Sequence, residues 1–306
     1  MNMNDTPLHQ AITNLDIPKY NLDTCSMLVE FNAPMWYARK LDKSTTEEVR
    51  QTKEAKAKGA ARVNKHLLAG TSELDGIIAF VQNVRKYVAH MTLPWSDRGP
   101  RLLPTSKFLE FDEQMRKYEE EFVVKVNDFL DIYPTLITAQ AMALGKMFNR
   151  AEFPDVKEVA RKFAFRVTYM PLPTAGDFRV DVGVAAQEEL KTRLNEVYSR
   201  RVGEAVDEVR VRLSAAVKHL ADQLTVDYVG KEAKPRRFYE STLEAAKNLC
   251  DLVPALNITN DPRIEEVRSE LERIVGGIGV ETIRTDLPAR EEIKKEMDDL
   301  ASRLDF

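Results

Sequence analysis

The chain has 306 residues, of which 43% are hydrophobic and 31% charged, and a formal net charge of −4. No stretch approaches the roughly 18 consecutive apolar residues that span a membrane, and residues 1–20 are too polar for a secretory signal, which argues against membrane and exported classes. The two cysteines, Cys25 and Cys250, form no CxxC pattern and fit unpaired thiols in a reducing cytoplasm.

Residues 1–20 read as a loose arm. The run 22–33 (LDTCSMLVEFNA) predicts a strand ended by Pro34. Thr45 to Leu68 is compatible with one cationic helix, weakened at Gly59. Thr71 and Ser72 are N-caps for a helix reaching about His90, along which Ile77, Ile78, Val81, Val84 and Val88 keep helical spacing. The prolines and glycine of TLPWSDRGPRLLP (92–104) predict an irregular surface loop. Two helices follow, from Lys107 to about Asp131 and from Tyr133 to Phe148. Phe163, Phe165, Val167 and Tyr169 alternate in KFAFRVTY (162–169), as do Phe178, Val180 and Val182 in DFRVDVGV (177–184). These predict a hairpin turned by PLPTAG (171–176), with 22–33 as a third strand.

From Ala185 to Tyr228, apolar residues recur at helical spacing, which predicts a helix about 65 Å long. That length suggests a helical hairpin or an intermolecular coiled coil, and hence a homo-oligomer, although Gly203 and the gap after Val197 interrupt a strict heptad. Basic KEAKPRRFYE (231–240) reads as a turn, before helices over 238–253, 262–275 and 289–304. The chain closes on acidic MDDLASRLDF. Ile293, Met297, Leu300 and Leu304 are spaced for a packed helix, against the alternative of a partner-recruiting tail ending in Phe306. The expected fold is mainly α (α+β), with a small antiparallel sheet and a long C-terminal helical hairpin or coiled coil. No alternating five-strand pattern supports an OB-fold. The expected division is an arm (1–20), a basic α+β nucleic-acid-binding domain (21–184) and a helical oligomerisation or partner-binding region (185–306).

Charge is unevenly distributed. Pro34 to Lys107 holds 14 Lys or Arg against 7 Asp or Glu, so it carries +7 and the remainder −11. Both tryptophans lie in this window. Cations attract a phosphate backbone and aromatic faces stack on unpaired bases, which points to single-stranded nucleic acid, ssDNA in the first instance. In PMWYARKLDK (34–43), Trp36 and Tyr37 precede Arg39, Lys40 and Lys43. Arg50, Lys53, Lys56, Lys58, Arg62 and Lys65 would face phosphates from a helix. Trp95 would stack from the 92–104 loop while Arg98 and Arg101 hold the backbone. Lys234, Arg236 and Arg237 would extend the footprint. The competing readings are a solvated helix face for the charges, core packing for Trp36 and a loop anchor for Trp95.

Enzyme signatures are sparse. No GxxxxGK[ST], GxSxG or Cys-His pairing occurs, and Gly276, Gly277 and Gly279 follow a helix instead of opening one. His9, His66, His90 and His219 are scattered without metal-ligand spacing, so no cofactor is expected. Asp177 and Asp181 would share one face of a strand. They would serve either a Mg²⁺-dependent nuclease or the polar side of a half-buried hairpin.

PMWYARKLDK, TLPWSDRGPRLLP and PLPTAGDFRVDVGV together resemble bacteriophage proteins, over about residues 25–185. Within that neighbourhood the chain is similar to the ssDNA-binding RNA polymerase cofactor family (Drc) of phages that package a giant virion polymerase. The resemblance implies a non-OB ssDNA-binding fold assisting phage transcription at melted promoters, in the host cytoplasm, with a phage RNA polymerase as partner. It implies no particular functional residues. The reading is a non-catalytic ssDNA-binding protein of phage transcription or replication. The alternatives are an α-helical adaptor that touches no nucleic acid and, third, the nuclease.

Overall fold

The computed structural model describes residues 22–57, 59–97, 99–173, 184–229, 232–277 and 279–303. Its elements begin with α1 (Leu22–Cys25), β1 (Ser26–Asn32), β2 (Arg39–Leu41), α2 (Lys43–Thr52), β3 (Asn64–His66), α3 (Glu73–Met91), β4 (Leu93–Pro94) and β5 (Arg101–Pro104). They continue with α4 (Phe108–Ala143), α5 (Val156–Ala160), β6 (Arg166–Met170), α6 (Val184–Leu224), β7 (Val226–Val229) and β8 (Glu232–Pro235). Helices α7 (Glu240–Leu256), α8 (Pro262–Gly276), α9 (Val280–Thr285) and α10 (Leu287–Ser302) follow. The chain is mainly α with small antiparallel pairings, as its periodicities predict. Among the described residues the sheets are β4-β5-β1-β6, β2-β3 and β7-β8.

Two compact units interleave along the sequence. Unit 1 takes residues 22–30, 90–109 and 169–303, and unit 2 takes 31–89 and 110–168. The partition is thus not a linear one at residue 184.

Unit 2 is built on α4, whose buried stripe runs through Phe111, Met115, Phe122, Val126, Phe129, Tyr133 and Ile137. The sequence predicts two helices here, but α4 continues for 36 residues through Pro134. A proline inside a helix costs about 3 kcal/mol, whereas burying Phe129, Tyr133 and Ile137 on one face contributes about 1.5–3 kcal/mol each, so packing wins. Against α4 lie Leu74, Ile77 and Val81 of α3, together with Met35, Trp36, Leu67, Phe153, Val159 and Phe163. The helix predicted over Thr45 to Leu68 is shorter. Asp42 caps α2 by accepting from the Thr45 amide at 3.0 Å, and α2 stops after 10 residues, none of them buried. Residues 53–61, mostly Lys, Ala and Gly, offer no apolar stripe to hold a longer helix, and Glu54 and Gly59 turn the chain with positive φ. The chain returns as β3, which pairs antiparallel with β2 in the register Arg39↔His66, Lys40↔Lys65, Leu41↔Asn64. Of KFAFRVTY, only the part from Arg166 is strand. Phe163 is in the core, and Phe165 packs on Phe31 and Phe122 at 4.8 and 5.6 Å. The partner run 177–183, with Asp177 and Asp181, lies outside the described residues.

In unit 1, the predicted 92–104 loop contains β4 and β5. β5 pairs with β1 (Leu28↔Leu102) and with β4 (Leu93↔Leu102), with Pro94 and Pro104 at strand ends where a missing N–H is tolerated. Helix α6 runs 41 residues. Its stripe of Val202, Val206, Val209, Leu213, Val217, Leu220 and Leu224 is buried. It packs on β4, α7, α8 and α10, which takes up the apolar stripe from Val202 onward, while Leu190, Leu194 and Val197 nearer its start are half-buried. Where the sequence predicts a helix end and a turn, Val226–Val229 and Glu232–Pro235 pair antiparallel as β7 and β8. Met297 and Leu300 bury the face of α10, in line with a packed terminal helix.

Two arginines tie this unit together. Arg212 of α6 donates to the His90 and Thr92 carbonyls, each at 2.8 Å, closing the C-terminal end of α3. Arg290 of α10 is 1% exposed and reaches the last carbonyls of α6, Gln223 O at 2.7 Å and Leu224 O at 2.9 Å.

Asp261 caps α8. Burial pushes its carboxyl up, but bonds from Arg263, Arg210 and the Arg263 amide outweigh this and hold it down at about 2, below the ordinary 3.8. A depressed folded pKa contributes stability that is complete above the ordinary value and is lost as pH falls through the folded one. Between pH 4 and 2 the melting temperature should therefore fall less steeply in Asp261→Asn than in the parent. Parallel melting curves for the two proteins would contradict this.

Candidate nucleic-acid interface

Unit 2 carries a polar groove of about 750 Å³ where β2, the start of α2, β3 and the loop after α4 meet. Five cations line it (Lys40, Lys43, Lys65, Lys146 and Arg150) against two carboxylates, Asp42 and Glu152. Lys40 and Lys65 are cross-strand partners on β2 and β3, which places both side chains on one side of the ladder. Lys43 is the first residue of α2. Lys146 and Arg150 come from consecutive 3-10 turns, Gly145–Met147 and Arg150–Glu152, where Gly145 supplies a positive φ.

Charge pairing separates the cations. Lys40 Nζ lies 4.0 Å from Glu152 Oε1. Lys65 is 6% exposed, with Nζ 2.5 Å from Glu152 Oε2 and 2.7 Å from the Met147 carbonyl. Arg150 donates to the Phe153 carbonyl at 3.0 Å. Lys43 and Lys146 are exposed and have no ion-pair partner among the described residues. The groove thus carries three positive charges beyond neutrality, two of them on unengaged ammonium groups. Bonds from the Thr45 amide and the Ser44 hydroxyl hold the Asp42 carboxyl below its usual range, so it stays ionised as the cap.

The predicted cations divide further. Arg39, Lys53, Lys56 and Arg62 are exposed without ion pairs among the described residues, as phosphate contacts require. Arg50 is half-buried and pairs with Glu47 at 2.8 Å. Lys58 and Arg98 lie outside the described residues. Arg101 is corrected. Its Nε donates to Thr92 Oγ1 at 2.7 Å and its Nη2 to the Thr92 carbonyl at 3.3 Å, so it is a half-buried strut. In unit 1, Lys234 is exposed opposite Asp227, and Arg236 pairs with Asp222 and Asp227. Arg237 stacks 5.0 Å from the Tyr239 centroid.

The stacking aromatics need the largest correction. Trp36 is 8% exposed, edge-on to Tyr133 at 5.4 Å with Lys162 over its ring. Trp95 is 3% exposed, edge-on to Tyr198 at 5.3 Å and covered by Arg201. Neither face is free for a base. A large apolar ring gains more from the core than from water, even beside cations. Tyr37, at 44% exposure, remains accessible beside Arg39. Lys146 and Arg150 were missed by sequence reasoning, because they lie beyond the Pro34–Lys107 cationic window, past the end of α4. Their only local signal is a Gly-Lys and Asn-Arg pair after a helix end.

No family model, curated protein or solved structure matches the chain. Among the described residues no group of three or more His, Cys, Asp or Glu gathers to hold a metal ion, and no helix is long and apolar enough to cross a membrane.

Proposed function

We propose that the chain binds single-stranded nucleic acid, ssDNA in the first instance, without chemistry, through the cationic groove of unit 2. The observation that carries this is the convergence of Lys40, Lys43, Lys146 and Arg150, from two stretches far apart in the sequence, on one polar groove with excess positive charge. The unpaired Arg39, Lys53, Lys56 and Arg62 extend the positive surface along the same stretch of chain. Such cations fix a phosphate backbone and read no bases. Preference for a single strand then falls to Tyr37, the exposed ring beside Arg39. On the resemblance carried by PMWYARKLDK, TLPWSDRGPRLLP and PLPTAGDFRVDVGV, the setting would be phage transcription at melted promoters.

The test is anisotropy of a labelled oligonucleotide, single-stranded and duplex, over a salt series. Lys43→Ala with Lys146→Ala should weaken single-strand binding and flatten the slope of log K against log salt by about 1.4, or 0.7 per lost phosphate contact. Tyr37→Ala should narrow the single-strand preference by about 1–3 kcal/mol. No binding by the parent at low salt would sink the proposal and leave the adaptor reading, for which exposed Val123 and Val124 of α4 offer an apolar surface.

A further inference from the structure

Lys65 belongs to the groove yet is unsuited to touch a ligand. An ammonium has three donors. In Lys65 the ammonium donates to the Met147 carbonyl at 2.7 Å and forms ion pairs with Glu152 Oε2 at 2.5 Å and, more distantly, Asp42 Oδ2 at 4.0 Å. Its side chain is almost wholly enclosed, whereas Lys40 beside it on the ladder is half exposed. Like charges directly opposite each other on a strand pair are destabilising. Here Glu152 stands between them, 4.0 Å from Lys40 and 2.5 Å from Lys65, and removes that penalty.

The acceptors that Lys65 engages identify its role. Met147 follows Lys146, Glu152 closes the turn that Arg150 opens, and Asp42 caps the helix that Lys43 begins. The backbone bonds inside the loop are local: Met147 N to Leu144 O, Phe148 N to Gly145 O, Glu152 N to Asn149 O and Phe153 N to Arg150 O. They shape two turns without fixing them to the rest of the unit. Buried Phe153 anchors the far end; Leu144 and Phe148 pack on the core at the near end, where the Lys65 to Met147 bond, across 82 residues of sequence, is the polar tie that fixes the turn carrying Lys146. We propose that Lys65 is the positioning residue of the groove, holding the 145–152 loop so that Lys146 and Arg150 line it together with Lys43, and that it contacts no phosphate itself. The binding consequence rests on the nucleic-acid reading above; the structural one does not.

Both are tested with the full chain. By amide hydrogen exchange, Lys65→Met should speed exchange at Met147, Phe148 and Glu152 and leave α6 unchanged. Lys65→Arg should restore protection, since a guanidinium can reach the same acceptors. In oligonucleotide binding, Lys65→Met should lower the salt slope as much as Lys146→Ala with Arg150→Ala, about 1.4, and adding it to that pair should lower the slope no further. Protection at parental level in Lys65→Met overturns the proposal. So does a triple variant whose slope falls by a further 0.7 or so, the mark of a separate phosphate contact. If Lys65→Met leaves unit 2 unfolded, Lys65→Gln with Glu152→Gln removes both charges together, and the same exchange criterion decides. A parent that binds no oligonucleotide refutes the function, while exchange still decides the positioning.

Discussion

Arg290→Met is expected to destabilise unit 1 by about 3–5 kcal/mol, the order reached when several buried carbonyls lose their donor at about 1–3 kcal/mol each and the desolvation cost of the guanidinium is relieved. The guanidinium is enclosed, and all four of its acceptors are main-chain carbonyls. These are Gln223 O at 2.7 Å, Leu224 O at 2.9 Å, Arg236 O at 2.5 Å and Ile283 O at 3.3 Å. The first two belong to the last turn of α6, whose carbonyls have no intrahelical donor. Arg236 O lies just beyond β8, and Ile283 O lies in α9. One side chain therefore closes a 41-residue helix, the hairpin after it and a short later helix. Burial pulls the Arg290 pKa below its ordinary value, and the methionine variant escapes that desolvation cost. Against this, four buried acceptors lose their donor at about 1–3 kcal/mol each, so the loss dominates. Arg290→Lys should fall between the two, because an ammonium has three donors and no planar fork.

The measurement uses the placement of the tryptophans, Trp95 in unit 1 and Trp36 in unit 2. In a Trp36→Phe background, fluorescence reports unit 1. The urea midpoint should drop with an unchanged m-value if stability alone has changed. A loss below about 1 kcal/mol would mean that water replaces the guanidinium at these carbonyls.

Trp36→Ala should cost unit 2 about 3–5 kcal/mol, as large-to-small changes of buried aromatics do. It would remove the edge-on contact with Tyr133 and the ring beneath Lys162, and open a cavity against α4. Trp36→Phe keeps most of the packing and should bind oligonucleotide as the parent does. The Trp95→Phe background isolates the fluorescence of Trp36 for the parent, and far-UV circular dichroism follows the alanine variant. A Trp36→Phe protein with parental stability and severalfold weaker binding would place the ring on a base and not in the core.

Where periodicity is long and strong, the sequence reads true. The apolar spacing of Ile77, Val81, Val84 and Val88 marks α3, and that of Val202 to Leu224 marks α6. It fails where tertiary packing overrides a local signal. Pro134 reads as a break, yet the α4 stripe carries the helix through it, and the prolines of 92–104 read as loop although they only end strands. Composition gave the region of the groove through Lys40 and Lys43, and misassigned Lys65, Trp36 and Trp95, because burial depends on partners far along the chain. Lys146 and Arg150 were illegible for the same reason. Only the closure of the loop after α4 onto β3 brings them to the site.

The interleaving of the units carries a consequence for biosynthesis. Every segment of unit 2 has been made once residue 168 leaves the ribosome, whereas α6, which packs on β4, and helices α7 to α10 are still to come. Chains generally fold as compact units become available during synthesis, N-terminal parts first. Here the order is inverted for part of the molecule. The β1, β4 and β5 strands are made before unit 2 is complete, yet α6, the helix that packs on β4, comes only afterwards. A nascent chain whose residue 168 has just cleared the ribosome would then display the cationic groove in finished form while most of unit 1 is still unassembled.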